Sequence, residues 1–225
     1  MREIALMLDS STAFIGTCEL KGPIVLLGNE AHYIANAVTK RKNEFATGRW
    51  CARKAMAMIG QHAQAILVGG YREPVWPEGV VGSISHTEGF YCALASTTFA
   101  SVGIDVEKFD SKIDADIWKH IYTDAEFQEF TANGNLDHDL ARFAIFSAKE
   151  AVYKCLFPFV GRFFEFLSVR IRPGLMRNRI VAELQEDLGQ GFHKSSILEG
   201  RYYSSKTHIL SAFLLNSAEN RTRRP

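Results

Sequence analysis

The chain has 225 residues, 47% hydrophobic and 23% charged, enough to bury one sizeable core or two smaller packed ones. Its 26 basic and 25 acidic side chains give a formal net charge of +1, so overall charge argues against a nucleic-acid partner, and any anionic ligand must be met by a local basic cluster. Cys18, Cys51, Cys92 and Cys155 lie far apart with no C-x-x-C pair, which argues against a zinc site or a thioredoxin-type motif and fits reduced, buried thiols in the cytosol.

The first residues, "MREIALMLDS", carry acids at Glu3 and Asp9 and lack a basic region followed by an apolar run, so no signal peptide is expected. No apolar stretch is long enough to span a bilayer, and a cytoplasmic protein without a membrane partner is the expectation. From Asn36 to Ile59, Val38, Phe45, Ala52 and Ile59 recur every seven positions with Ala55 and Met56 between them, the stripe of an amphipathic helix that Gly60 ends. Lys42, Arg49 and Arg53 share a second stripe of that helix at about 100° per residue, either a solvated basic face or an anion site. Lys40, Arg41 and Arg72 are placed to enlarge the cluster.

"AILVGG" predicts a short strand and "REPVWPEG" a loop, because Pro74 and Pro77 interrupt ladder bonding. "VVGSISH", "FYCALAS" and "SVGIDVE" predict three strands, the first two joined through "TEG", in a mostly antiparallel sheet. Ser85 and His86 close the first of these. They are a hydroxyl and a ring able to bond a phosphate, weighed against a partly buried histidine satisfied by its own fold. No nucleophile elbow surrounds Ser85, which disfavours a Ser-His hydrolase.

"KFDSKIDADIWKHIYTDAEFQEF" predicts helical pieces, and "DHDLARFAIFSAKEAVYKCLF" a helix on Leu140, Phe143, Ala144, Ala151, Val152 and Cys155, with Pro158 just past its end. "LSVRIR", "NRIVAELQ" and "HILSAFLLN" predict further strands, and "NRTRRP" a frayed basic tail. Each half reads as a helix followed by strands, without residue-level repetition. The division expected is residues 1–100, carrying the basic helix, and 101–225, carrying the acids.

Asp105 and Glu107 leave a strand on the same face while Ile104 and Val106 point into the core. Side by side, two carboxylates repel unless a cation or proton lies between them, and a solvated strand face is the competing reading. On the later helix Phe146, Glu150 and Lys154 follow at i, i+4 and i+8 and share one face. Ser147 and Glu150 match a capping box, yet the apolar period begins near Leu140 and places Ser147 inside the helix; Glu150 with Lys154 also reads as a surface pair. A third carboxylate beside Asp105 and Glu107 makes a hard oxygen site suited to Mg²⁺ shared with substrate phosphates.

In order, "TKRKNEFATGRWCARKAM", "REPVWPEGVVGSISHTEGF", "VGIDVE" and "FSAKEAVYKCLFP" resemble the successive motifs of the 4′-phosphopantetheinyl transferases of the surfactin/enterobactin-synthetase-activating class, over residues 36–170. The resemblance implies a pseudo-dimeric α/β fold of the α+β type, two similar halves of mostly antiparallel sheet plus helix with the active site in the cleft between them. It implies transfer of the phosphopantetheine arm of coenzyme A to a serine of an apo acyl or peptidyl carrier protein, as in siderophore and other secondary-metabolite assembly, leaving adenosine 3′,5′-bisphosphate. By that similarity Asp105, Glu107 and Glu150 hold Mg²⁺, with Mn²⁺ as the second candidate ion, and Lys154 faces the pyrophosphate. Those four are the expected catalytic residues, with Glu150 the candidate base. Arg49, Arg53, Arg72, Ser85, His86, Lys149 and Lys154 are expected to meet coenzyme A. Phe146 stands where some members carry Trp. A monomer is expected, because both halves lie in one chain, and the segment Lys108–Tyr122 is a candidate carrier-docking region. A Mg²⁺-dependent phosphodiesterase and a non-catalytic coenzyme A-binding module are the alternatives.

Overall fold

The computed structural model describes residues 3–21, 24–109, 115–134 and 137–216. The chain divides into two compact units, Met1–Val102 and Gly103–Pro225. The expected basic tail lies outside the described residues, as does 110–114 within the candidate docking segment. No helix among the described residues is long and apolar enough to cross a membrane.

The first unit starts with a hairpin of β1 (Glu3–Asp9) and β2 (Thr12–Thr17), then α1 (Thr39–Met58), a short ribbon of β3 (Leu67–Val68) and β4 (Pro74–Val75), and a second hairpin of β5 (Val81–Thr87) and β6 (Phe90–Ser96). Four of these strands form an antiparallel sheet in the order β1-β2-β6-β5. The expectation of a helix followed by strands is therefore corrected, since two strands precede α1. The Pro-rich loop also gives a partner to the short strand, Val68 pairing with Pro74, because a proline at the first residue of a short edge strand removes no bond the ladder needs. Small residues on α1, Cys51, Ala52 and Ala55, let the helix lie close on Ala13, Ile15, Ala93 and Ala95.

A 3-10 turn at Gly28–Ile34 carries Glu30 beneath α1, fully buried. Arg53 Nη1 donates to both Glu30 oxygens at 2.9 and 3.0 Å, and Ile66 N and Leu27 N donate to them at 2.8 Å each. Arg53 Nη2 adds a bond to Val25 O at 3.0 Å. A carboxylate out of water is tolerated when paired and saturated with donors.

The second unit holds β7 (Ser101–Lys108) from Gly103 onward, α2 (Ala115–Ile121), α3 (Asp124–Gly134), α4 (His138–Val160), β8 (Val169–Pro173), β9 (Arg179–Leu184), β10 (Ile197–Ser204) and β11 (His208–Leu215), with the sheet in the order β7-β11-β10-β9-β8. Asp137 caps α4 by accepting from Leu140 N at 2.8 Å. Pro158 lies inside the last turn of α4 rather than beyond it. A proline there forfeits one backbone bond, and the helix ends at Gly161, whose φ of 63° provides a left-handed cap bonded back to Phe157 O.

β10 had no expectation; its Leu198, Gly200 and Tyr202 face inward, and the ring of Phe213 lies where a Gly200 side chain would stand. Edge strand β8 is covered by α3, where Glu126 Oε1 accepts from Ile171 N at 2.7 Å and Glu129 pairs with Arg170. With antiparallel sheets each carrying helices, the protein has the expected mixed α/β class.

Arg53→Ala should destabilise the protein by about 3–5 kcal/mol, because it leaves Glu30 buried without its cation. Urea denaturation measures this, and a loss below about 1 kcal/mol would show that the pair is not closed to water. On β7, a Cβ built on Gly103 would stand 2.0 Å from Ala151 O and 2.6 Å from Cys155 N, both backbone atoms of α4 that cannot move independently. Gly103→Ala is expected to cost about 1–3 kcal/mol by prying the helix from the strand.

Candidate active site

The bare Cα of Gly103 brings α4 against the face of β7 that carries Asp105 and Glu107, two and four residues on. Ser147 inside α4 is fully buried and donates from Oγ to Asp105 O at 3.0 Å, locking helix to strand at the residue that matters. Asp105 itself is only 3% exposed, so the solvated-face reading of this strand is set aside. Ile104 and Val106, on the alternate face, are buried as the alternation requires.

Lys154 Nζ donates to Asp105 Oδ1 at 2.6 Å, one helical turn beyond Glu150. Around this cation the carboxylates are crowded. Glu107 is pushed up to about 8 by burial, then by the charge of Asp105, relieved in part by Lys154 and raised again by Glu150. Glu150 is raised as well, chiefly by burial, with Lys154 lowering it and Asp105 raising it. Phe146, on the same helix face, is half-buried and packs edge-on to Trp118 and Phe166.

Among the described residues no group of three or more His, Cys, Asp or Glu is gathered as a ready metal site. The donor set nevertheless fits a hard divalent ion in kind: three carboxylates of one electrostatic neighbourhood, whose mutual repulsion a cation relieves as a proton does.

In the first unit the basic stripe of α1 is not a solvated face. Arg49 is buried with its guanidinium 3.7 Å over the ring of Phe45 and its Nε bonded to Ile66 O at 3.3 Å. Burial draws its pKa down to about 10; Glu30 opposes that, while Arg41 and Arg53 add to it. Ser85 is buried on β5, and its neighbour His86 stacks on Tyr91 with ring centroids 5.9 Å apart. Arg41 Nη1 lies 3.0 Å from His86 Nε2. A guanidinium only donates, so Nε2 is the acceptor and the imidazole carries its proton on Nδ1.

The structure thus brings together Asp105, Glu107, Glu150 and Lys154 in one unit, and Arg41, Arg49, Arg53 and His86 in the other. Arg72 sits exposed in the turn between β3 and β4 with a φ of 69°. Lys149 points away from the acids: it is 2% exposed, and its ammonium bonds Ile121 O, Glu126 and Phe166 O. In the sequence Arg41 is only an accessory of the basic cluster. Its approach to His86 joins residues 45 apart, which no local spacing reveals. Glu30 and Glu126, the buried partners of Arg53 and Lys149, had no sequence signal.

Comparison with known proteins matches residues 29–96 to the 4′-phosphopantetheinyl transferase N-terminal domain and residues 101–203 to the 4′-phosphopantetheinyl transferase superfamily. The chain is 32% identical over 185 residues to the 4′-phosphopantetheinyl transferase Npt of Nocardia iowensis, a match covering 81% of this chain and 79% of the relative. It is 39% identical over 149 residues to the 4′-phosphopantetheinyl transferase PptT of Mycobacterium tuberculosis, 64% of each chain. Enterobactin synthase component D of Salmonella typhi is 36% identical over 121 residues, 54% of this chain and 50% of the relative. With both units matched and one relative aligned over most of its length, the chain belongs to the 4′-phosphopantetheinyl transferase superfamily and is an enzyme of that type.

Proposed function

We propose that this enzyme transfers the 4′-phosphopantetheine arm of coenzyme A to a serine hydroxyl of an apo acyl or peptidyl carrier protein, dependent on Mg²⁺, releasing adenosine 3′,5′-bisphosphate. The observation that carries the reading is the crowding of Asp105, Glu107 and Glu150 about Lys154, with burial and then neighbouring charge raising the proton affinity of Glu107 and Glu150. The relatives named enterobactin synthase component D support a carrier of siderophore assembly among the candidates.

In the reaction the serine oxygen bonds to the phosphorus that bears pantetheine, and the bridge from that phosphorus to the 5′-phosphate breaks. Asp105, Glu107 and Glu150 would hold Mg²⁺, which when bound neutralises charge on the pyrophosphate. Lys154 supplies a further positive charge beside Asp105, which would stabilise charge on the leaving phosphate. Glu150 accepts the serine proton, and burial, first among its causes, raises its proton affinity in the direction a base requires. Arg41, Arg49, Arg53 and His86 bind the remaining phosphates of coenzyme A, including the 3′-phosphate. A guanidinium has five N–H groups, and the bonds of Arg53 to Glu30 and Val25 use three, which leaves it able to meet an anion.

Mass spectrometry of an apo carrier protein incubated with the enzyme, coenzyme A and Mg²⁺ should show the mass of one phosphopantetheine arm. Free adenosine bisphosphate with an unmodified carrier would instead identify a phosphodiesterase. Asp105→Asn, which keeps shape and removes charge, should lower the transfer rate by about two to four orders of magnitude with little change in unfolding midpoint. Undiminished transfer would remove the acids from the reaction.

The raised Glu107 also sets a pH dependence. The folded protein holds this proton up to about 8, whereas the unfolded chain releases it near the ordinary 4.5. Between those values the native state binds more protons, so stability falls as pH rises through the window. Thermal midpoints measured in chelator across it should fall more steeply for the wild type than for Glu107→Gln. Parallel profiles would mean that the acids are not crowded in solution.

A further inference from the structure

Lys149 and Glu126 form an ion pair closed inside the second unit, with side chains 1% and 2% exposed. The ammonium has three protons and meets three acceptors: Ile121 O at 2.7 Å, Glu126 Oε2 at 2.9 Å and Phe166 O at 3.1 Å. No proton is left for a phosphate. The other oxygen of Glu126 accepts from Ile171 N at 2.7 Å. Through one cation the end of α2, the start of α3, the 3-10 turn at Phe166–Ser168 and the edge strand β8 are all tied to α4, one residue before Glu150.

A buried ion pair is a poor way to add stability, since apolar side chains of the same volume do as well or better. It does provide direction. Three acceptors from three separate segments restrict the rotation of α4 about its axis, and successive residues of a helix are held about 100° apart, so holding Lys149 constrains the azimuth of Glu150. A rotation of about 10° would carry a glutamate carboxylate by about 1 Å, a displacement that can cost about a hundredfold in rate. Ser147, bonded to Asp105 O at 3.0 Å, registers the same helix against β7 from the other side.

We infer that the Lys149–Glu126 pair is a positioning device that fixes the rotation of α4, and with it the placement of Glu150 and Lys154, and that Lys149 is not a ligand of coenzyme A. The inference rests on the proposed roles of Glu150 and Lys154 in transfer. It replaces the expectation that Lys149 meets the substrate.

The test compares Lys149→Met and the double variant Lys149→Met/Glu126→Gln with the wild type, well below each unfolding midpoint. Three quantities are measured: the Kd for coenzyme A by calorimetry, the affinity for Mn²⁺ alone by electron paramagnetic resonance, and kcat and KM for transfer. In both variants kcat and Mn²⁺ affinity should fall by about 10–100-fold, as for loss of a supporting partner, while Kd and KM for coenzyme A stay within about twofold. Should Lys149→Met fail to fold, the double variant, in which no buried charge lacks a counter-charge, gives the same comparison. Coenzyme A binding weakened about tenfold or more with kcat retained would make Lys149 a substrate ligand and overturn the inference. Wild-type kcat and Mn²⁺ affinity in the double variant would also overturn it, reducing the pair to a fold-holding contact. The Mn²⁺ measurement needs no transfer, so a wild type that transfers nothing, with variants that still lose Mn²⁺, would defeat the proposed function and leave the positioning role standing.

Discussion

The close approach of α4 to β7 at Gly103 governs the second unit. An antiparallel sheet and a helix laid on it normally stand apart by the thickness of their side chains, and charged groups on the facing strand are then either solvated or excluded. Here the strand gives up a side chain where Ala151 O comes down, and the next residues on that face, Asp105 and Glu107, are drawn toward the helix. Everything unusual about the acids follows from that descent. Burial raises the proton affinity of Glu107 and Glu150, the charge of Asp105 raises it further, and Lys154 can reach Asp105 because the helix carrying it lies so near.

The first unit has the converse problem, a concentration of guanidinium groups. Arg49 is held off its ordinary range by burial and by Arg41 and Arg53, with Glu30 the carboxylate that opposes the trend. Acids are crowded in one unit and guanidinium groups in the other, so like charges repel within each. Each cluster is relieved in part by the opposite charge within it, Lys154 among the acids and Glu30 among the guanidinium groups.

How much of this the sequence disclosed depended on the range of the interaction. Period-two alternation in "GIDVE" put Asp105 and Glu107 on one face, and the helical period of "FSAKEAVYK" put Glu150 and Lys154 on another, because both patterns are set by backbone geometry within a few residues. Ser147 was rightly placed inside the helix for the same reason. The bonds that decide what those faces meet join distant positions: Lys149 to Glu126, Arg53 to Glu30, and Arg41 to His86 lie 23, 23 and 45 residues apart. Lys149 shows the consequence. Adjacent to Glu150 within a motif, it reads as a site residue, yet a step of about 100° around the helix turns it from the acids to the interior. β10 carries a weak strand signal because its inward face includes Gly200, which supplies no apolar side chain to the alternation and owes its place to the ring of Phe213.

Both units solve the seating of their long helix by the same means. In the first, a cation on α1, Arg53, is gripped by the buried Glu30, which also accepts Ile66 N, while the cation donates to Val25 O. In the second, Lys149 on α4 is gripped by the buried Glu126, which also accepts Ile171 N, while the cation donates to Ile121 O and Phe166 O. Each carboxylate therefore ties a helix to a backbone segment outside it, which apolar contacts alone cannot do with direction. The choice of cation separates their duties. A guanidinium has N–H groups beyond those its carboxylate occupies, so Arg53 can be anchored and still address a phosphate; an ammonium bonded three ways cannot, and Lys149 is confined to holding the helix that presents its neighbours.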